Sequence, residues 1–266
     1  MTRQAVSFDC EGATLVGTLD GGGEASGLLI VTGGSEVRAG AHRGMAELAA
    51  ILSREGFPVF RFDRRGVGDS EGTDGGFRAS GPDLHAALAA FRAEAPQLRR
   101  VVAFGNCDAA SALVLHALPV EARVLANPWV VEPAGDLPPP AAIKGHYGQR
   151  LRDPGAWRAL LGGRVDYRRL MRGLARVAAP SPTPPASLAA QVLDGLAVQP
   201  IATTVLLATG DGTAQAFDAE WRKRPVAGVT VERIDSPSHS FANDADYRAL
   251  LATLERVLAA TSSPRA

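Results

Sequence analysis

Residues 99–118 read RRVVAFGNCDAASALVLHAL, a passage that commits the chain to one local geometry. The apolar run 101–104 meets Gly105-Asn106-Cys107-Asp108-Ala109, and apolar residues at helical spacing follow at Ala112, Leu115 and Leu118. A buried strand, a tight turn and a helix in immediate succession place Cys107 at the apex of the turn. Small residues at Gly105 and Ala109 are what such a turn demands, because the helix must pass close to the strand. The helix N-terminus beside the apex favours negative charge, so a thiol there is placed to act as a nucleophile.

Two further strand ends carry chemically capable side chains. The apolar run 204–208 ends in Thr209-Gly210-Asp211, and the alternating run 229–235 leads into Ser236-Pro237-Ser238-His239-Ser240-Phe241. His239 would take the thiol proton and return it to a leaving group, and Asp211 would set the orientation and tautomer of the imidazole. Gly210-Asp211-Gly212 is also a turn signal, so Asp211 equally suits a turn or cap; Asp218 and Asp235 are less well placed acids. A free thiol has a pKa of about 8.5, so near neutrality it needs a neighbouring cation or helix N-terminus to ionise. Cys10 has no such setting and reads as a structural residue.

The 266 residues suffice for the core of one large α/β domain. Twenty-eight basic residues balance 28 acidic ones, and no basic patch interleaved with aromatics occurs, which argues against a nucleic-acid partner. Two cysteines make no disulfide framework. There is no charged-then-apolar leader and no apolar run of about 18 residues. The expectation is a soluble, cytoplasmic protein without a membrane span, in a compartment whose reducing conditions suit a working thiol. His85, His116 and His146 lack metal-ligand spacing, and neither metal nor organic cofactor is expected; His42, near the mouth of the site, reads as structural or as facing substrate.

Residues 5–10 and 14–19 read as a strand pair around the turn signal Glu11-Gly12. An apolar strand, 28–31, ends at Thr32-Gly33-Gly34-Ser35; a helix over 42–55 and a strand over 57–62 follow, then DRRGVGDSEG at 63–72, which would brace the neighbouring loops. A helix over 82–94 precedes the strand of the cysteine turn. After a strand at 122–126 the alternation stops, and 128–200 contains proline-rich stretches and arginine-rich amphipathic segments. It resumes with strand 204–208, helix 214–223, strand 229–234 and a helix over 244–259. Such alternation predicts an α/β fold, a mostly parallel sheet with helices on both faces and an antiparallel pair at one edge. Residues 1–127 and 201–260 would form the core, 128–200 a lid or cap insertion, and 261–266 a disordered tail. Arg150, Arg152, Arg158, Arg164, Arg168, Arg169, Arg172 and Arg176 would attract an anionic substrate or form a solvated face. Gly33, Gly34, Arg38 and Arg43 would lie at the mouth of the site, where either arginine would bind a substrate carboxylate or phosphate, or serve a cap or surface ion pair.

Taken together, Gly33-Gly34-Ser35, Asp63-Arg-Arg-Gly-x-Gly-x-Ser70, Gly-Asn-Cys107-Asp-Ala, Gly-Asp211 and Ser-His239-Ser-Phe resemble the α/β-hydrolases over nearly the whole chain. More narrowly, GGSEVRAGAHR, FRFDRRGVGDSEG, FGNCDAASA and GDGTAQAF resemble the exosortase A system-associated hydrolase type 1 family. That family occurs in bacteria whose gene clusters combine exopolysaccharide synthesis with sorting of proteins bearing a PEP-CTERM signal. The resemblance implies an α/β-hydrolase fold with a helical lid and a triad in the chain order Cys107, Asp211, His239. It also implies an oxyanion hole built from the backbone N–H groups of Asp108 and Ser35, with Gly33 and Gly34 letting backbone approach the substrate. Ala109 stands where the elbow has its second glycine, and Gly33-Gly34 lacks the histidine of the commoner His-Gly loop. The expected reaction is cleavage of a carboxylic ester or thioester, in a small-molecule or lipid- or saccharide-linked acyl substrate, through an acyl-enzyme. A thioester hands its acyl group readily to an amine or thiol, so an acyltransferase is one rival reading. The other is a catalytically silent binding or scaffold protein for the polysaccharide machinery.

Overall fold

A computed structural model of the chain describes residues 2–131 and 187–262. Glu11 and Gly12 both take positive φ, 52° and 83°, the two-residue turn that matches the twist of a hairpin. It joins β1 (Arg3–Cys10) to β2 (Ala13–Asp20), with Cys10 opposite Ala13. The other strands are β3 (Ser26–Val31), β4 (Val59–Phe62), β5 (Arg100–Asn106), β6 (Ala122–Ala126), β7 (Ala202–Ala208) and β8 (Val229–Ile234). Their order in the sheet is β1-β2-β4-β3-β5-β6-β7-β8. The β1–β2 and β2–β4 pairings are antiparallel and all others parallel, as expected for an α/β-hydrolase fold with an antiparallel edge.

The apolar runs become central strands because both of their faces are covered. Along β5, Val101 and Ala103 join one core layer while Val102 and Phe104 join the other; β3 and β7 split their residues in the same alternation. The first layer is closed by α2 (Gly81–Glu94), α3 (Asp108–Leu115), α4 (Leu188–Val198) and α5 (Gly212–Lys223). The second is closed by α1 (Gly44–Arg54) and α6 (Asp244–Ser262), which presents Leu250, Leu254 and Leu258 one turn apart. The chain leaves β3 towards β4 on one side and passes to β5 on the other, so a crevice opens beyond the carboxyl ends of β3 and β5, where open α/β sheets bind ligands.

Three boundaries differ from expectation. Helix α1 begins at Gly44, because His42 and Arg43 adopt left-handed backbone with φ of 52° and 63°. Of the insertion expected over 128–200, residues 132–186 lie outside the described residues, and with them the lid arginines Arg150, Arg152, Arg158, Arg164, Arg168, Arg169, Arg172 and Arg176. Its last part is not insertion: Leu188, Val192, Leu193 and Leu196 of α4 are buried in the first core layer. The tail expected to start at 261 is helical as far as Ser262, whose carbonyl accepts from Arg100; residues 263–266 lie outside the described residues.

Leu254 is fully buried between α6 and the sheet, so Leu254→Ala should lower the unfolding free energy by about 2–5 kcal/mol in urea titrations. A loss under about 1 kcal/mol would mean that this face of α6 is not the packed layer described.

Candidate active site

Cys107 sits between β5 and α3 with φ 61° and ψ −126°, a region that a non-glycine residue enters only when its surroundings impose it. The exit of β6 imposes it: the Cys107 N–H donates to the Ala126 carbonyl at 3.0 Å, and the Trp129 N–H donates to the Cys107 carbonyl at 3.1 Å. A Cβ on Gly105 would lie 2.8 Å from the Ala109 carbonyl carbon and 2.9 Å from the Ala110 nitrogen, so only glycine lets the helix return over the strand. Ala109 itself is fully buried at this crossing.

The imidazole of His239 lies between the Cys107 thiol, which it hydrogen-bonds, and Asp211, whose Oδ2 is 3.0 Å from Nδ1. Those two hydrogen bonds, Asp211's first, together with attraction to both partners, outweigh burial and raise the His239 pKa to about 10. Near neutral pH the ring therefore faces the sulfur as a cation. A cation and a helix N-terminus are the two features that make a cysteine reactive. By contrast, burial and a hydrogen bond to Asp83 raise the Cys10 thiol to about 11, leaving it neutral in the core.

Asp211 is cap and partner at once. It is the N-cap of α5, and the oxygen that faces His239 also accepts from the Ala214 N–H at 3.0 Å, which locks the carboxylate's direction. The two loops are pressed together: Gly210 donates to the Ser236 carbonyl at 2.8 Å, and a Cβ on Gly210 would lie 2.9 Å from Pro237 Cα. Asp218 is instead engaged by Arg222 and Arg233, and Asp235 is exposed.

Gly33 touches the cysteine turn so closely that a Cβ on it would lie 2.7 Å from both the Asn106 carbonyl and Asp108 Oδ1. The Gly34 N–H donates to Asp108 Oδ1 at 2.7 Å, and Arg64 donates to the Gly34 carbonyl. Ser35 is exposed, and its N–H donates to no described residue. The Asp108 N–H opens α3 and has no intrahelical acceptor. The carboxylate on Gly34 was not foreseeable from the motif, which speaks only of backbone.

Arg38 is engaged by carboxylates of this chain. Its Nη1 pairs with fully buried Asp63, its Nη2 lies 2.8 Å from Asp69, and its Nε donates to Thr18 at 3.0 Å. It braces the 63–72 segment, where Asp63 also accepts from the backbone N–H groups of Arg38 and Asp69. Arg43 is exposed at the start of α1, with no described side-chain partner. Sequence reasoning passed over Asn106 and Asn127. The Asn127 side chain donates to Asn106 Oδ1 at 3.3 Å and to the His239 carbonyl at 3.2 Å, and Asn106 Nδ2 donates to that carbonyl at 3.1 Å. A polar residue directly after the strand expected at 122–126 was the available signal. Among the described residues no cluster of three His, Cys, Asp or Glu side chains has metal-site geometry, and no helix is long and apolar enough to cross a membrane.

The profile of the Alpha/beta hydrolase family matches residues 28–254, most of the sequence, and the chain belongs to that family. Among solved structures, it is similar to the esterase Pf2001 of Pyrococcus furiosus, at 15% identity and a TM-score of 0.66, over 98% of this chain and 91% of that one. It is also similar to the α/β-hydrolase GrgF from Penicillium sp. sh18, at 16% identity and 0.61, over 98% and 99%. A third likeness is to XC6422 from Xanthomonas campestris, described as a serine hydrolase without a lid, at 18% identity and 0.60, over 97% and 96%. At these identities the likeness establishes the fold. No curated protein matches the sequence.

Asp211→Asn retains an N-cap side chain for α5 but removes the charge that faces His239. The His239 midpoint, followed by NMR of the ring nitrogens, should fall from about 10 towards the ordinary value of about 6.5. A pKa raised on folding stabilises the protein fully below the unfolded value of about 6.5, and that stability fades as pH climbs through the folded value. The wild type should therefore lose stability relative to Asp211→Asn between neutral pH and about 10. An unmoved midpoint in the variant would show that Asp211 does not govern the ring.

Proposed function

We propose that the chain cleaves a carboxylic ester or thioester through a Cys107–His239–Asp211 triad and a covalent acyl-enzyme. The observation that carries this reading is the imidazole of His239 held between the Cys107 thiol and Asp211 at 3.0 Å, with Cys107 at the apex of a strained strand–turn–helix. In the first half-reaction the sulfur attacks the substrate carbonyl carbon, and the C=O electron pair moves onto oxygen. Backbone N–H groups of Asp108 and Ser35 would receive that oxyanion; one such donor is worth about 2.7–4 kcal/mol of transition-state stabilisation. As the tetrahedral species collapses, the bond to the leaving oxygen or sulfur breaks and His239 gives it its proton. The neutral imidazole then takes a proton from water, whose oxygen attacks the thioester. Collapse releases the acid and returns the proton to the Cys107–His239 pair.

The cysteine supports a second outcome at the same site. A thioester reacts readily with amines and thiols, so the acyl group would pass to such an acceptor where one is bound. The motifs GGSEVRAGAHR, FRFDRRGVGDSEG, FGNCDAASA and GDGTAQAF support a place among the exosortase A system-associated hydrolases, acting in the cytoplasm on a lipid- or saccharide-linked acyl compound.

Intact-protein mass after brief exposure to a panel of activated acyl esters and thioesters tests the proposal. Wild type should gain one acyl group, and Cys107→Ala and His239→Ala should gain none. Persistence of the adduct in water, with discharge on adding an amine, marks a transferase. Acylation spread over several residues, or unchanged in Cys107→Ala, would overturn the triad.

Asp108 supplies a second check. Its carboxylate occupies Gly34 N–H and, on this reading, would place negative charge beside the developing oxyanion. Asp108→Asn keeps an oxygen for Gly34 but removes the charge, so acylation by a neutral ester should speed up several-fold in stopped-flow measurements. A slowing would mean that the carboxylate assists the reaction.

A further inference from the structure

Asn127 follows the last residue of β6, fully buried and with φ 43°. Its Oδ1 accepts from the Ala208 N–H at 2.9 Å. An N–H can only donate, so the atom facing it must be the amide oxygen, and Nδ2 is turned towards the other two partners. Those partners are Asn106 Oδ1 and the His239 carbonyl. Asn106 Nδ2 donates to the same carbonyl. Two side-chain amides thus converge on one peptide oxygen and use both of its acceptor positions.

Each contact falls on a strand end that carries a member of the triad. Asn106 is the last residue of β5 and adjoins Cys107; Ala208 is the last residue of β7, three before Asp211; the carbonyl belongs to His239 itself. A mere turn role for Asn127 would need only its left-handed backbone, yet every described bond of its side chain is to another segment. The loop is anchored separately on either side of His239, where Asp246 accepts from Ser236 before it and from Asn243 after it. The amides act on the backbone between these two anchored points, at His239 itself.

We infer that Asn106 and Asn127 are positioning residues, a clamp on the His239 carbonyl that sets its imidazole between Cys107 and Asp211. The inference rests on the triad reading of the site. Neither amide reaches the reacting atoms; both act through the backbone of the base, and a misplacement of about 1 Å there is enough to cost about a hundredfold in rate.

The test compares Asn106→Ala and Asn127→Ala with wild type by NMR titration of the His239 ring, thermal unfolding, and acylation of Cys107 by p-nitrophenyl acetate. Asn106 is only half-buried, so its variant keeps the measurement available if Asn127→Ala fails to fold. Loss of the clamp should lower the His239 midpoint by about one unit or more and slow acylation by about tenfold to a hundredfold. A merely structural role would lower the melting temperature and leave the midpoint unmoved. A raised wild-type midpoint that stays raised in Asn106→Ala overturns the clamp and leaves the triad standing. A wild-type Cys107 that p-nitrophenyl acetate does not acylate overturns both.

Discussion

At Cys107 the backbone stands at φ 61° and ψ −126°, a conformation that costs a non-glycine residue about 1–3 kcal/mol. Both peptide groups of the residue are held by the exit of β6, through the Ala126 carbonyl and the Trp129 N–H. Gly105 leaves room for the first turn of α3, and Gly33 lets the loop after β3 close on the turn from the other side. Release of this one residue to ordinary backbone would turn the thiol away from His239. It would also move the Asp108 N–H away from any oxyanion and part the Gly34–Asp108 contact. The geometry of the site is therefore a property of the junction between three strands.

His239 is placed by a different device. Its loop follows β8, an edge strand whose residues are only half-buried, so sheet packing alone cannot define it. Contacts on its backbone do: Gly210 against Pro237, Ser236 against Asp246, and the paired amides on the His239 carbonyl. Asp211 gains its direction from capping α5. The same carboxylate oxygen then faces the ring, so helix capping and the electrostatics of the site share one atom.

Much of this was legible because it lies in contiguous sequence. The apolar runs at 28–31, 101–104 and 204–208 read as strands covered on both faces, and Cys107, Asp211 and His239 each follow such a run or the last strand. What stayed hidden depends on partners distant in the chain. Arg38 reads as a free cation until Asp63 is seen beneath it. Asn127 carries no signal in the sequence beyond its place after a strand until the His239 loop is brought against it. The limit of the insertion was misplaced because the proline-rich stretch 178–185 runs almost up to α4, whose small residues Ala189, Ala190 and Gly195 weaken its apolar pattern. The occupied Gly34 N–H could not be read from a motif that specifies backbone donors and is silent about the side chain of Asp108.

The central claim is that the surroundings of Cys107, not the thiol alone, create a nucleophile. The most direct measurement is the rate of carbamidomethylation by iodoacetamide at pH 7, with Cys10 as the internal reference. The account predicts that Cys107 reacts at least about tenfold faster than an unperturbed peptide thiol, that His239→Ala removes the advantage, and that Cys10 stays unmodified in the folded protein. Cys107 reacting at the peptide rate, with or without His239, would contradict it.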